Sequence, residues 1–348
     1  MTVLRLALIG FGNVAREFSR LLLSRRTWLR ESRELIVDVV AVATRSRGSL
    51  ISDYELDLRR VLELYESGKR ISEYGVEKTD STALEVIRTS DADVMIELTP
   101  LDIESGQPAT DHIRAALGRG MSVVTANKGP LAWAYDELAS LAQRTGSQFR
   151  FEGTVMDGTP IFSLVERTMP GCRVLGVEGS LNSTCNLVLT SMMSGRSMED
   201  ALNEARLLGI TEADPSLDID GWDAAAKVTV LANVLMGARA NPKLVERRGI
   251  RGLSVEELRG AVDSGRRVRL VARAEPRSDG VFMQVGPEVV GTESWLWGVN
   301  GTSSALTLKT DMLGSTTIVE ENPSLMQTAY AVFADLLVID EKTREKAP

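Results

Sequence analysis

Apolar and polar residues alternate in a regular way along roughly the first 150 residues. The apolar run at 3–9 predicts a buried strand, and from Asn13 to about Leu23 apolar residues recur on one helical face. The alternation continues with strands predicted at 35–43, 94–98, 122–125 and 148–152 and helices at 110–117 and 134–145. Strands that alternate with helices form a parallel sheet with right-handed crossovers. The pattern predicts an α/β fold, a Rossmann-type doubly wound parallel sheet, in residues 1–150.

The second half of the chain has a different pattern. Strands of a second sheet are predicted at 173–181, 267–274, 281–290, 303–309 and 315–320, with helices near 198–208, 222–236 and 254–264. These elements predict a second, α+β domain over residues 151–322. Apolar residues at helical spacing in 324–338 predict a helix within a separate C-terminal segment, 323–348.

A glycine turn follows the first predicted strand. Gly10, Gly12 and Ala15 match the G-x-G-x-x-G/A pattern in the strand–turn–helix context that gives it meaning. Gly10 permits the turn, and Gly12 lets the backbone approach a pyrophosphate. The backbone N–H groups at the helix start, beginning with Asn13 and Val14, then face the phosphates. We predict a dinucleotide site; the alternative is a tight turn of another α/β protein.

The second predicted strand ends in Thr44-Arg45-Ser46-Arg47. An NAD site normally has an acidic residue here for the ribose 2′-hydroxyl, whereas arginine favours a 2′-phosphate. We therefore predict that NADP(H) is preferred over NAD(H), with Arg45 in contact with the cofactor. The alternative is that both arginines are solvated loop charges.

Composition narrows the chemistry further. The net charge of −8 argues against a nucleic-acid partner, and no apolar run reaches the roughly 18 residues that cross a bilayer. Cys172 and Cys185 are the only cysteines, so we expect no disulfide framework and a cytoplasmic location. The single histidine, His112, has no ligand spacing around it, and a plain surface or packing role is expected. Lysine is therefore the candidate for acid–base chemistry.

Charged residues cluster around one apolar helical stretch. Asp223 and Lys227 are four residues apart and therefore share a face of that helix. Acidic residues crowd the loop before it, at Glu212, Asp214, Asp218 and Asp220. Acids before a helix can simply cap it. A zwitterionic amino-acid substrate gives a better reason for so many, because its ammonium group needs carboxylate partners.

Three segments of the chain resemble the homoserine dehydrogenase family. They are TANK at 125–128, LNSTCN at 181–186, and ARLLGITEADP at 205–215 with its continuation DIDGWDAAAK at 218–227. The resemblance, which covers roughly residues 1–340, implies NAD(P)-dependent interconversion of L-homoserine and L-aspartate 4-semialdehyde, a step toward threonine, methionine and isoleucine. It also implies a homodimer paired through the second sheet, and a C-terminal helix that returns to the nucleotide domain. Since the sequence stops at Pro348, the short form without the regulatory ACT extension is expected.

The resemblance assigns roles to single residues as well. Lys227 resembles the general acid–base group, Asp223 the carboxylate that holds the substrate oxygen or Lys227, and Lys128 a second lysine of the same site. Implied substrate contacts are Glu212, Asp218 and Thr184, and implied cofactor contacts are Thr99, Lys128 and Gly209. In the reduction, an ammonium group beside the aldehyde stabilises the growing negative charge on oxygen and delivers the proton.

The family also binds a monovalent cation, Na⁺ or K⁺, in a segment that 151–160 resembles. The matching residues are Glu152, Val155, Asp157 and Thr159. Asp157 stands where a small residue is usual, so the extra carboxylate either strengthens or spoils the site.

Two further departures concern the pocket and keep alternatives open. Asn322-Pro323-Ser324 replaces a glycine-rich turn, and Ser183 replaces a glycine. One alternative is therefore a related NADP-dependent dehydrogenase for another small (hydroxy-)amino acid. The other is a non-catalytic dinucleotide-binding regulator, against which the retention of both lysines and their acidic neighbours argues.

Overall fold

The computed structural model describes residues 1–75, 78–211 and 214–346. The chain divides into two compact units. The first comprises Met1–Pro130, Ala134–Phe162 and the C-terminal segment from Ser324, and the second comprises Leu131–Trp133 and Ser163–Pro323. Among the described residues, no helix combines the length and the apolar character that a membrane span requires.

The strands are β1 (Thr2–Ile9), β2 (Leu35–Ala43), β3 (Ser49–Ile51), β4 (Lys78–Thr79), β5 (Val94–Glu97), β6 (Ser122–Thr125), β7 (Phe149–Arg150), β8 (Val174–Ser180), β9 (Glu246–Arg247), β10 (Arg267–Arg277), β11 (Gly280–Val290), β12 (Ser304–Thr310) and β13 (Ser315–Glu320). The α-helices are α1 (Asn13–Arg33), α2 (Leu58–Glu66), α3 (Ala83–Thr89), α4 (Ala109–Gly118), α5 (Lys128–Thr145), α6 (Phe162–Thr168), α7 (Ser183–Met193), α8 (Met198–Leu207), α9 (Ser216–Ile219), α10 (Trp222–Met236), α11 (Val255–Asp263) and α12 (Leu325–Lys346).

The first unit is built on a seven-stranded sheet in the order β4-β3-β2-β1-β5-β6-β7. Strands β2, β1, β5, β6 and β7 are parallel, and β3 and β4 are antiparallel additions at one edge. Alternate residues of β1 enter two different cores: Leu6 and Leu8 pack with α1 and α12, while Ala7 and Ile9 pack with α3, α4 and α5. Helices thus cover both faces, and the predicted doubly wound fold is confirmed.

The second unit contains a six-stranded sheet in the order β13-β12-β8-β10-β11-β9. All its pairings are antiparallel except that of β11 with β9, and α7, α10 and α11 pack on it. The predicted strands are all present. Helix α7 was not predicted, because residues on several of its sides are buried and the helical period is therefore weak. Helix α1 continues to Arg33 and α12 to Lys346, both beyond the predicted ends, and α5 has a kink at Ala134, so that a helical segment from Lys128 precedes the predicted 134–145 helix.

Candidate active site

The turn between β1 and α1 requires glycine at its first position. Gly10 has a φ of +90°, and a Cβ atom on it would lie 2.5 Å from the carbonyl oxygen of Leu98. Its N–H donates to the carbonyl oxygen of Ala43 at 2.9 Å. The turn is therefore fixed to the residues at the ends of β2 and β5, and a larger residue would be both strained and obstructed.

The N-terminus of α1 is open to a ligand. Gly12 is the N-cap, no described side chain caps the helix, and a Cβ atom on Gly12 would meet no heavy atom within 4 Å. Asn13 is exposed and Val14 half-buried, whereas Ala15 is fully buried. The first backbone N–H groups of a helix lack partners within the helix. The predicted cradle thus fits the pyrophosphate of a dinucleotide.

The two arginines after β2 have different environments. Arg47 lies over the ring of Tyr65, with 4.3 Å from its Cζ to the ring centroid, and donates to the Tyr65 carbonyl oxygen. Its backbone N–H also donates to the hydroxyl of Thr44 at 2.9 Å. Arg45 is exposed. Arg47 therefore holds the loop together, and Arg45 is the arginine at the surface.

A buried carboxylate connects the carboxyl ends of β5 and β6. Glu97 is fully buried and accepts hydrogen bonds from the N–H and the hydroxyl of Thr99. The hydroxyl of Thr125 donates to the Glu97 backbone oxygen at 3.0 Å. Nδ1 of the buried His112 side chain lies 3.5 Å from the Glu97 carboxylate. Glu97 was not among the predicted residues, although its acidic side chain in an apolar strand was visible in the sequence.

Asn127 connects these strand ends to helix α5. Its Nδ2 donates to the carbonyl oxygen of Thr99 at 3.0 Å, and its Oδ1 accepts from the N–H of Gly129 at 3.0 Å as the helix cap. Lys128 is the first residue of α5 and is half-buried. Asn127 therefore positions the predicted cofactor contact Thr99 and the helix start at Lys128 through one side chain.

Lys227 of the second unit lies between a carbonyl and a carboxylate. Its Nζ donates to the backbone oxygen of Leu181 at 2.7 Å and is 3.2 Å from Oδ2 of Asp223. The two side chains lie one turn apart on α10, with 17% of Lys227 and 15% of Asp223 exposed. The ammonium group is thus held in place by a carbonyl and a carboxylate.

A second carboxylate joins this cluster through a shared amide. Nδ2 of Asn182 donates to Asp218 at 2.7 Å and to Asp223 at 2.9 Å. Burial and the charge of Asp223 raise the pKa of Asp218, against hydrogen bonds from Asn182 and Thr184 that lower it. Thr184 and Asn182 are both buried. Asn182 was missed among the predicted residues, although it lies in the LNSTCN segment.

The other predicted residues of this loop have different roles. Asp214 accepts from the N–H of Ser216 at 3.0 Å, and Asp220 forms a two-point ion pair with Arg251 at 2.7 and 3.0 Å. Gly209 has a φ of +69°, a conformation that favours glycine after a helix. The predicted substrate contact Glu212 lies outside the described residues. Of the acids described in this loop, Asp218 is the one whose carboxylate shares the Asn182 amide with Asp223.

The segment predicted to bind a cation has its side chains engaged within the first unit. Oε1 of Glu152 accepts from the N–H groups of Ile161 and Phe162 at 2.6 and 2.8 Å, at the start of α6. Asp157, in a left-handed conformation with φ +40°, accepts from the hydroxyl of Thr328 at 2.7 Å. In the described ranges, no group of three or more His, Cys, Asp or Glu residues could hold a metal ion. A cation at Glu152, Val155, Asp157 and Thr159 would therefore depend on backbone carbonyls.

The unusual turn before α12 also has a local explanation. Asn322 has a φ of +51°, and the N–H of Ser324 donates to the side-chain oxygen of Gln327 at 2.8 Å. A Cβ atom on Gly158 would lie 2.3 Å from the carbonyl oxygen of Gln327. Glycine at 158 is thus required by the close approach of α12.

A dinucleotide cradle on a doubly wound sheet, with a lysine held among carboxylates in the second unit, defines a nicotinamide-dependent oxidoreductase. The sequence model of the homoserine dehydrogenase NAD-binding domain matches residues 10–152, and that of homoserine dehydrogenase itself matches residues 160–337. The chain therefore belongs to the homoserine dehydrogenase family. The predicted family, fold class and enzyme class are confirmed.

Relatives cover the whole chain. It is 36% identical to the homoserine dehydrogenase of Methanocaldococcus jannaschii, over 97% of this chain and 99% of that protein. It is 32% identical to the NAD(+)-dependent homoserine dehydrogenase of Pseudomonas canavaninivorans, over 99% of both chains. Among solved structures, a hyperthermophilic archaeal homoserine dehydrogenase in complex with NADPH superposes with a TM-score of 0.81 at 30% identity, covering 98% of each chain.

Proposed function

We propose that this protein interconverts L-homoserine and L-aspartate 4-semialdehyde with Lys227 as the general acid and base. The main support for this proposal is the position of the Lys227 ammonium group. Its Nζ lies 2.7 Å from the Leu181 backbone oxygen and 3.2 Å from the Asp223 carboxylate. The carbonyl and the carboxylate orient the amine, so that it can exchange its proton with the substrate oxygen.

Each residue of the cluster then has a task. In the reduction, Lys227 stabilises the negative charge that grows on the aldehyde oxygen and delivers the proton. When bound, the nicotinamide supplies or accepts the hydride at the substrate carbon. Asp218 offers a partner for the substrate ammonium group, together with Thr184 and Glu212. In the oxidation Lys227 must accept a proton, so homoserine oxidation should accelerate toward alkaline pH.

The decisive experiment measures NADPH absorbance when purified protein is incubated with L-homoserine and NADP⁺ at alkaline pH, with NAD⁺ in parallel. A homoserine-dependent turnover of order 1 s⁻¹ or more supports the reaction. Absence of turnover in a protein that binds NADPH would instead favour another small hydroxy-amino acid as substrate, and the 322–324 turn would be examined first.

NADP(H) is the preferred cofactor in this proposal, with the exposed Arg45 as the partner of the 2′-phosphate. Arg47 is already committed to Tyr65 at 4.3 Å. Arg45→Ala should lower kcat/KM for NADP⁺ by about tenfold or more, because it removes one hydrogen bond to a charged group. The kcat/KM for NAD⁺, which has no 2′-phosphate, should stay unchanged. Arg25→Ala, at an exposed position of α1, is the control. Wild-type preference for NAD⁺ would overturn the assignment.

A homodimer through the second sheet is also proposed. On one face of that sheet Arg273 pairs with Glu178 at 3.0 Å and Glu288 at 2.7 Å, and these carboxylates raise the pKa of Arg273. A self-compensated charge network is suited to the self-complementary surface of a two-fold dimer. Light scattering should give a dimer for the wild type and a smaller species for Arg273→Glu; a wild-type monomer would contradict the proposal.

We further propose a cytoplasmic enzyme that is activated by Na⁺ or K⁺ bound to backbone carbonyls of 152–159. Free thiols at Cys172 and Cys185 are consistent with a reducing compartment. Turnover should increase when either ion replaces a bulky organic cation at constant ionic strength, and equal rates would exclude the cation.

A further inference from the structure

Asn182 makes two kinds of contact with one side chain. Its Oδ1 accepts from the N–H of Cys185 at 2.7 Å and caps helix α7. Its Nδ2 donates to Asp218 at 2.7 Å and to Asp223 at 2.9 Å. Both protons of an amide nitrogen and its oxygen are thus used, and the side chain is buried. The amide therefore has one orientation.

The residue before it completes the arrangement. The carbonyl oxygen of Leu181 accepts from Lys227 at 2.7 Å, so two consecutive residues hold the amine and both carboxylates. We propose that Asn182 is a positioning residue of the active site, whose amide holds the carboxylates of Asp218 and Asp223 in one orientation beside Lys227. The inference rests on the proposed role of Lys227.

The amide is needed because the two carboxylates repel each other. Among the described residues, the charged and titratable groups around Asp218 include Asp223 and Lys227 from α10, the Cys185 thiol from α7, and Asp220 just after its own helix, which is itself paired with Arg251. Of these groups, Lys227 is the cation beside the two carboxylates. The neutral amide adds a donor to each carboxylate without adding charge, and favours the ionised form that binds an ammonium group.

Substitutions at this position can separate capping from donation. Asn182→Ser and Asn182→Asp both keep a good helix cap but lose the amide that donates to both carboxylates. Serine keeps one O–H on a shorter side chain, and the ionised aspartate has no donor and adds a negative charge. Ser254→Ala, which removes the cap of α11 in the same unit, is the matched control for a purely structural loss. The readouts are the pH profile of kcat/KM for homoserine oxidation, the unfolding midpoint, and NADPH binding.

We expect Asn182→Ser to unfold near the wild-type midpoint, to bind NADPH normally, and to lose about ten- to hundred-fold in kcat/KM, as for a lost hydrogen bond to a charged group. The acid limb of its pH profile should move to higher pH, because the lost hydrogen bond had lowered the pKa of Asp218, and that of Asn182→Asp should move further. The inference would be overturned if Asn182→Ser kept the wild-type acid limb of the pH profile. It would also be overturned if the loss of kcat/KM only followed a loss of stability, as expected for Ser254→Ala. An inactive wild-type protein would instead refute the proposed function, so the two failures are distinguishable.

Discussion

Two asparagines cap helices beside the two predicted active-site lysines, one in each unit, and their amides donate to different partners. Nδ2 of Asn127 donates to the backbone oxygen of Thr99 at 3.0 Å. Nδ2 of Asn182 donates to the carboxylates of Asp218 and Asp223 at 2.7 and 2.9 Å. Backbone carbonyls do not titrate, whereas carboxylates do. An asparagine amide therefore fixes geometry alone in the first unit, at Asn127, whereas at Asn182 in the second unit it influences both geometry and charge.

This difference indicates where pH sensitivity resides. In the first unit the carboxylate near the helix start, that of Glu97, accepts from the N–H and hydroxyl of Thr99 and from the hydroxyl of Thr125. In the second, Asp218 lies beside another carboxylate, and its pKa is raised by burial and by that charge. Perturbed carboxyl groups in pairs are typical of sites that do chemistry. The comparison therefore predicts that substitutions in the second unit change rate and pH profile, and those in the first mainly change binding.

The largest expected effect is that of Lys227→Ala. Loss of the general acid and base should lower kcat by about 10³-fold or more. NADPH affinity should remain near wild type, whereas the unfolding midpoint should fall, because Lys227 is only 17% exposed and its loss removes the ion pair with Asp223. Lys128→Ala is the comparison variant, and it should mainly raise KM. Steady-state kinetics and NADPH titration check both, and equal losses in kcat would remove the distinction between the two lysines.

Asp218→Asn is expected to have the next largest effect. Removing a charged partner of the substrate ammonium group should lower kcat/KM about ten- to hundred-fold. The raised pKa of Asp218 places its acid limb above that of an ordinary aspartate, and the limb should disappear in the variant. Adding Asn182→Ser to Asp218→Asn should then cause no further change in the profile. A double variant that shifts the profile as much as Asn182→Ser alone would show that the amide acts elsewhere.

Much of the fold could be predicted from the sequence, because the long elements carry strong periodic patterns. Residues 3–9 are apolar without interruption, and the glycine turn after them has one conformation that fits. The short strands β3 and β4, of three and two residues, gave no such pattern. Helix α7 was missed because its buried residues lie on several sides.

The candidate site was predicted in composition but not in detail. The four-residue spacing predicted that Asp223 and Lys227 share one helical face, and in the structure their side chains lie 3.2 Å apart on α10. Nothing in the spacing distinguishes Asp218 from Asp220, because the direction of each side chain depends on partners distant in sequence, Asn182 and Arg251. The amide of Asn182 was overlooked for the same reason.

A smaller effect is expected for Asn127→Ala. The variant loses the cap of α5 and the tie to Thr99, which should cost about 1 kcal/mol of unfolding free energy. KM for the cofactor should rise, because Thr99 and the helix start are less well held. The shape of the pH profile should not change, since the amide has no titrating partner. Denaturant unfolding and pH-dependent kinetics are the measurements, and a shifted acid limb would contradict the contrast with Asn182.

The smallest effect is expected for Asp220→Asn, two residues from Asp218. Asp220 is bound to Arg251 in an exposed ion pair, with 34% and 58% of the two side chains exposed, so solvent screens the pair and it contributes little to stability. Arg251 lowers the pKa of Asp220, so this contribution is present above the ordinary carboxyl pKa of about 3.9 and is lost as the pH falls through the lowered value. Turnover should stay within about twofold of wild type, since Asp220 faces Arg251 rather than Lys227. Unfolding curves at neutral and acidic pH, with kinetics beside them, measure both quantities. A loss of turnover as large as that of Asp218→Asn would mean that the loop acts as one charged unit, and that the contact with Asn182 does not distinguish Asp218 from Asp220 in function.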